Sequence, residues 1–206
     1  MPEKPTLSLR IKKGPSQTVG NLIGWSAQCI RTIVPFLAAR VPDIERYRAL
    51  SPRELRFELE ELYAAYTGCL DEERFEEWPE FFVDDCLYKI MPRENFERGL
   101  PLATWLCESK GYLADRVTAI RKTAVYAPRY VRRLVSGIRV LGWKGDVLDV
   151  RANYVALETL QDELTRVFNT GQYRDKLVVQ EGGLKFQEKL CIFDSMLVPN
   201  SLIYPL

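Results

Sequence analysis

Eight carboxylates crowd one stretch of the chain: Asp71, Glu72, Glu73, Glu76, Glu77, Glu80, Asp84 and Asp85. Paired acids can act as general acid and base, or hold a hard cation. Their spacing matches no EF-hand loop, and most fall away from the aromatic stripe of Phe75, Trp78, Phe81 and Phe82. That pattern marks a solvated acidic face. A second cluster joins Tyr126, Arg129, Tyr130, Arg132 and Arg133, a mixture that can bind nucleic acid. The chain carries 29 Lys and Arg against 28 Asp and Glu, a net charge of +1. Near neutrality argues against nucleic acid, and the arginines are expected in subunit salt bridges or on carboxylates. Asp84, Asp85, Asp115 and Asp149, with tyrosines, could equip an apolar cavity for proton transfer. Nothing in the sequence aims two of them at one substrate, so cap and turn roles are their default.

The decisive feature is an absence, because the 206 residues include no histidine. Neutral imidazole is the commonest ligand for catalytic iron, zinc and copper, and the usual general base near pH 7. Without it the chain cannot build a two-His-one-carboxylate iron site, a Rieske cluster or a Ser-His-Asp triad. The five cysteines, Cys29, Cys69, Cys86, Cys107 and Cys191, form no C-x-x-C pair, so zinc and iron–sulfur sites are not expected. Their odd number and irregular spacing fit reduced thiols in a cytoplasm. No catalytic, cofactor-binding or metal residue is assigned in this chain.

Hydrophobic residues make up 47% and charged residues 28%, an ordinary globular balance. Val19 to Val41 is the most apolar stretch, but Asn21, Gln28, Arg31 and Pro35 interrupt it, against a membrane span. Leu22, Trp25, Cys29, Ile33, Leu37 and Val41 instead follow helical spacing, and Pro35 should kink that helix. No membrane association is expected.

Behind the candidate residues lie two kinds of element. Ser51-Pro52-Arg53-Glu54 is a helix start with a capping box, followed by the stripe Leu55, Leu59, Leu62, Tyr63, Tyr66 and Leu70. Asp71 is expected to cap a second short helix that Pro79 bends or ends early. Cys86 to Met91 reads as a strand, and about Pro101 to Arg121 as a helical region interrupted near Gly111. From Arg132 the period becomes two. Leu148, Val150, Ala152, Tyr154 and Ala156 alternate with Asp149, Arg151 and Asn153. Turns at 142–146, 160–163 and 181–183 separate that strand from its neighbours, and further strands are expected over about 164–179 and 184–197. Helices first, then a long antiparallel meander, predict an α+β fold. A curved sheet folded over the helices would enclose a cone-shaped interior. The domain is expected over residues 51–206, with residues 1–50 an extension able to clasp a neighbouring subunit.

Several segments together resemble the small (β) subunit of Rieske-type aromatic-ring-hydroxylating dioxygenases. They are Leu70 through Trp78 with Phe81-Phe82, Asp84 through Tyr88, Leu113 through Val117, Tyr126 through Arg133, Val167 through Lys176, and Phe186 through Lys189. The ending from Asp194-Ser195 to Ser201-Leu202-Ile203-Tyr204-Pro205-Leu206 is similar to the branch acting on aromatic carboxylates such as salicylate, anthranilate or terephthalate. The resemblance spans roughly residues 51 to 206.

The resemblance implies a cone-shaped α+β barrel shared with scytalone dehydratase and nuclear transport factor 2. It implies assembly with a large (α) oxygenase subunit, three of each in a hexamer, and contact with neighbouring small subunits. The Rieske [2Fe–2S] cluster and mononuclear non-haem iron would then belong to the large subunit, with a reductase or ferredoxin supplying electrons. The role implied for this chain is structural. Interface anchors are expected at Trp78, Tyr126, Arg129, Tyr130 and Arg132. The tail residues Leu202, Tyr204 and Leu206 read equally as interface or as core. The competing function is a stand-alone dehydratase, isomerase or ligand-binding protein of the same fold.

Overall fold

The structure is a computed structural model that describes residues 44–195, 197 and 201–206. The expected helix within 19–41 and most of the proposed extension lie outside the described residues. Helix α1 (Ile44–Ala49) is short, yet it buries Tyr47 in the main core, and Arg48 reaches the Gly145 carbonyl at 2.8 Å and Asp146 at 3.0 Å. Residues 44–49 therefore already pack on the domain.

Helix α2 (Pro52–Asp71) begins as the sequence dictates. The Glu54 amide donates to Ser51 Oγ at 3.3 Å, the Ser51 amide donates to Glu54 Oε2 at 2.8 Å, and Pro52 takes the first turn. Its stripe of Leu55, Leu59, Tyr63, Tyr66 and Leu70 is buried. The helix stays intact through Gly68. It ends where Glu73 turns left-handed at φ 55°, with the Arg74 amide donating to the Cys69 carbonyl and the Glu73 amide to the Leu70 carbonyl. This closure corrects the expectation of a second helix capped by Asp71. Residues after Glu73 form turns and one 3₁₀ turn (Trp78–Phe81), with Pro79 in its first turn, where its missing N–H leaves no bond unmade.

Strand β1 (Phe82–Pro92) leads through a five-residue helix α3 (Arg93–Glu97) to the short strand β2 (Trp105–Cys107). Helix α4 (Lys110–Lys122) follows, capped by Ser109. The expected helix from Pro101 is thus replaced in its first third by a strand: Trp105 and Cys107 are buried and Leu106 exposed, the period of a strand, and Cys107 pairs with Tyr88. Gly111 sits in the first turn of α4 without breaking it.

Strands β3 (Arg129–Lys144), β4 (Val147–Leu160), β5 (Arg166–Gln180) and β6 (Gly183–Phe193) form the antiparallel meander, with every inward residue predicted for β4 buried. The sheet order is β2-β1-β6-β5-β4-β3, so β2 and β3 are its edges. One pairing was not legible in the pattern: β1 joins β6 in parallel. The result is an α+β domain in which a six-stranded, curved and unclosed sheet packs on α2, whose side chains fill the interior.

Candidate subunit interface

Four of the expected anchors come together at the start of edge strand β3. Tyr126, Arg129, Tyr130 and Arg132 line a cleft of about 1020 Å³ together with Asp71 and Glu73. Alternation along β3 sorts them. Arg129, Val131 and Arg133 turn inward, while Tyr130, Arg132 and Leu134 face out. Arg132 pairs with Leu157 and that residue with Val167, and Leu134 pairs with Val155 and that residue with Thr170. These are two rungs of one outer face. It leaves Tyr130 76%, Leu134 59% and Val167 59% exposed. A long edge strand bearing exposed aliphatic and aromatic side chains is a template for contact with another chain.

Two buried ion clusters fix this edge. Arg129 Nη1 lies 2.7 Å from Glu158 Oε1, and Arg166 Nη2 lies 2.7 Å from Glu158 Oε2, with the Glu158 side chain 1% exposed. Two guanidinium groups on one desolvated carboxylate satisfy both of its oxygens. Arg133, wholly buried, donates to Asp71 Oδ1 at 2.5 Å, and its Nε donates to the Pro205 carbonyl at 3.1 Å. The Arg133 amide also donates to Asp71 Oδ2 at 3.0 Å. Asp71 thus ties the end of α2 to β3. Of the cluster's arginines, Arg129 and Arg133 serve carboxylates inside the protein, and Arg132 is the one facing solvent.

The remaining candidates lie elsewhere. Trp78 is fully buried and its Nε1 donates to the Tyr66 hydroxyl at 3.3 Å, so it anchors the core and not a surface. Tyr204 and Leu206 are buried as well, Tyr204 against Phe75 and Tyr126, and Leu202 is half-buried against the same core. The tail therefore completes the interior. Asp84, Asp85 and Asp115 are exposed, and Asp149 pairs with Lys144 at 2.5 Å; none faces the interior. Apart from Asp71, the acidic stretch is solvated, with Glu76 on Arg121 and Glu80 on Lys110.

The interior holds a polar pair that sequence reasoning missed. Lys189 Nζ lies 3.1 Å from Asp175 Oδ2, and the Tyr63 hydroxyl donates to the same oxygen at 2.6 Å. The ammonium sits 3.5 Å from the centre of the Tyr173 ring and 4.6 Å from those of Tyr66 and Phe186. Burial raises the Asp175 carboxyl, opposed by the Lys189 ammonium and the Tyr63 hydrogen bond. Burial and the Asp175 carboxylate together push the Tyr63 hydroxyl well above the usual phenol range. Asp175 shares the inward parity of Tyr173, Leu177 and Val179, and that signal could have found it. Lys189 was hidden by a register shift: Leu177 pairs with Phe186 but Lys176 with Glu188, so Gln187 bulges and the inward phase changes before Lys189.

A Rieske cluster takes two histidines and two cysteines, and a mononuclear oxygenase iron two histidines and a carboxylate. This donor set fits neither group, because the chain has no histidine. The described cysteines are buried thiols bonded to no other cysteine. Burial pushes Cys69 and Cys86 up to about 11 and Cys191 up to about 12, the reverse of what a metal thiolate needs. Among the described residues, no group of three or more Cys, Asp or Glu side chains is placed to hold a metal ion. Among those residues, too, no helix is long and apolar enough to cross a membrane.

Comparison with known proteins adds sequence relationships to this geometry. A family model described as the ring hydroxylating beta subunit matches residues 67–200. The anthranilate 1,2-dioxygenase small subunit of Burkholderia cepacia is 34% identical over 150 residues, covering 73% of this chain and 93% of that protein. The beta 1 subunit of the terminal oxygenase component of terephthalate 1,2-dioxygenase from Comamonas sp. is 30% identical over 145 residues, covering 69% and 93%. A crystal structure described as the beta subunit of an aromatic-ring-hydroxylating dioxygenase from Novosphingobium aromaticivorans superposes with a TM-score of 0.68. It shares 37% identity and covers 75% of this chain and 98% of its own.

Proposed function

The chain belongs to the ring hydroxylating beta subunit family, and from that premise we propose that it is the structural small subunit of a multicomponent oxygenase acting on an aromatic carboxylate. The names of its relatives, for anthranilate and terephthalate dioxygenases, support that substrate class. The Rieske cluster and mononuclear iron reside in a large partner subunit, since this chain offers no histidine to either. The complex is cytoplasmic, contains three chains of each kind, and receives electrons from a reductase or ferredoxin. Small subunits hold the large ones so that the cluster of one faces the iron of the next.

The observation that carries this reading is the outer face of edge strand β3. Tyr130, Arg132 and Leu134 present ring, guanidinium and aliphatic surface from a backbone locked by two buried ion clusters. Rigid aromatic and arginine anchors are what dominate subunit interfaces. The test is the native mass of the complex co-purified with its large subunit, with iron counted per large chain. The variant Tyr130→Asp/Leu134→Asp is expected to leave the melting temperature of the isolated small subunit unchanged and to break the complex into smaller species. An intact complex of unchanged mass would remove this face from the interface.

A further inference from the structure

One rung on the outer face of the sheet is built from cations. Arg139 pairs with Arg151, Arg151 with Arg174, Arg174 with Leu190 and Leu190 with Lys89, so β3, β4, β5, β6 and β1 each place one residue on it. Neighbouring strands lie about 4.8 Å apart, so the row runs about 19 Å along the sheet. Like charges directly opposite each other on adjacent strands are destabilising. Yet none of the four cations makes an ion pair with a described carboxylate. The next rung carries acids, but Lys144 holds Asp149 and Lys176 holds Glu188. Helix α3 brings the Phe96 ring within 5.0 Å of the Arg174 guanidinium, while Glu94 goes to Arg98 and Asp194 to Arg93. Arg151 and Arg174 are half-buried, and the Nε of each is shut off from water without an acceptor. Burial and the Arg151 charge both push the Arg174 guanidinium down. A buried donor left unmatched is costly.

Carboxylates from another chain would relieve that cost, since arginine and carboxylate make strong charge-assisted hydrogen bonds. This chain has few to offer. Outside the described residues its only acids are Glu3 and Asp43, against Lys4, Arg10, Lys12, Lys13, Arg31 and Arg40. Its acidic stretch is already engaged, with Glu72 and Glu77 on Arg74, Glu76 on Arg121 and Glu80 on Lys110, which disfavours a second copy as the partner. The row is also continuous with the face of Tyr130 and Leu134. Val155, the β4 partner of Leu134, shares the outward parity of Arg151 and lies four residues from it, about 13 Å along the strand. Across β3, β4 and β5 the rung between them holds the neutral Ser136, Asn153 and Gln172. On the premise that the chain works as the small subunit of a larger oxygenase, we propose that the row of Arg139, Arg151 and Arg174, extended by Lys89, docks an acidic segment of the large subunit. The carboxylates of that segment accept from the guanidinium groups about 13 Å from its apolar contact with Leu134 and Val155. An open row of this length suits a run of acids and not one small anion.

The experiment uses the complex co-purified with its large subunit. Its apparent Kd is read by mass photometry over a dilution series, at about 50 and about 500 mM NaCl. The wild-type Kd is expected to rise at least tenfold with salt. Arg151→Gln/Arg174→Gln should raise the low-salt Kd at least tenfold and cut the salt effect to less than threefold. Arg151→Lys/Arg174→Lys keeps both charges and should keep the salt effect. Should the glutamine variant not fold, the exposed end of the row supplies the answer, and Arg139→Glu should raise the low-salt Kd at least fivefold. Wild-type affinity in a folded glutamine variant, or in Arg139→Glu, overturns the proposal and leaves the small-subunit role standing. A wild-type chain that forms no complex overturns both. Self-association of the isolated chain that these variants abolish, with binding to the large subunit unchanged, gives the row to a second copy and overturns the proposal as well.

Discussion

Lys189 and Asp175 meet at 3.1 Å inside the domain with neither side chain exposed to solvent. The pair is expensive to bury and costly to break, because removing one partner strands the other charge away from water. Lys189→Met is expected to lower unfolding stability by about 3–5 kcal/mol in urea titrations. The double variant Lys189→Met/Asp175→Asn, which removes both charges but keeps an acceptor for Tyr63, should recover more than half of that loss. Additive effects of the two changes would show that the charges are uncoupled.

Gly171 is fixed by a close approach between strands. A Cβ there would stand 2.0 Å from the Ile192 carbonyl oxygen, and that oxygen is backbone and cannot swing aside. Gly171→Ala should destabilise the chain by at least ~3 kcal/mol, the upper part of the range for overpacking. The soluble yield and melting temperature of the variant check this, and a wild-type melting curve would contradict it.

Glu73 closes α2 in the left-handed region at φ 55°, where a side chain costs about 1–2 kcal/mol. Glycine carries no such penalty but gives back part of the gain through its unfolded-chain entropy. Glu73→Gly is therefore expected to stabilise the isolated chain by about 0.5–1 kcal/mol, measured by thermal or urea unfolding. A net loss would mean that the carboxylate, 3.4 Å from the Tyr204 hydroxyl, contributes more than the backbone strain removes.

The buried thiols and phenols set the alkaline limit. Burial pushes Cys191 up to about 12 and raises Tyr63, Tyr66, Tyr88, Tyr154 and Tyr173 well above the phenol range. A folded-state value above the unfolded one gives stability that is complete below the unfolded pKa and lost as pH rises through the folded pKa. The urea midpoint should hold up to about pH 9 and then fall toward pH 12, with tyrosinate absorbance from the buried rings appearing together with the loss of structure. In a Cys29→Ser background, thiol reagents at pH 8 should react slowly until denaturant is added. Fast labelling, or a midpoint flat to pH 12, would contradict the burial of these groups.

The features legible from residue order alone rest on local rules. The Ser51 capping box, the inward stripe of α2 and the alternation of β4 each depend on residues within a few positions of one another, so their periods are readable directly. The lack of histidine likewise excluded a Rieske cluster and a two-His-one-carboxylate iron from this chain. Tertiary structure decided whatever depended on a partner far along the chain. Trp78, Tyr204 and Leu206 have the residue types of interface anchors, and only packing against Tyr66, Phe75 and Tyr88 shows them to be core. Lys189 looks like a surface lysine until a bulge at Gln187 turns it inward toward Asp175, because one added residue inverts the two-residue period of a strand. Pairings between α2 and β3, or between β1 and β6, are long-range choices among many sterically equal alternatives, and burial of the shared interior selects them.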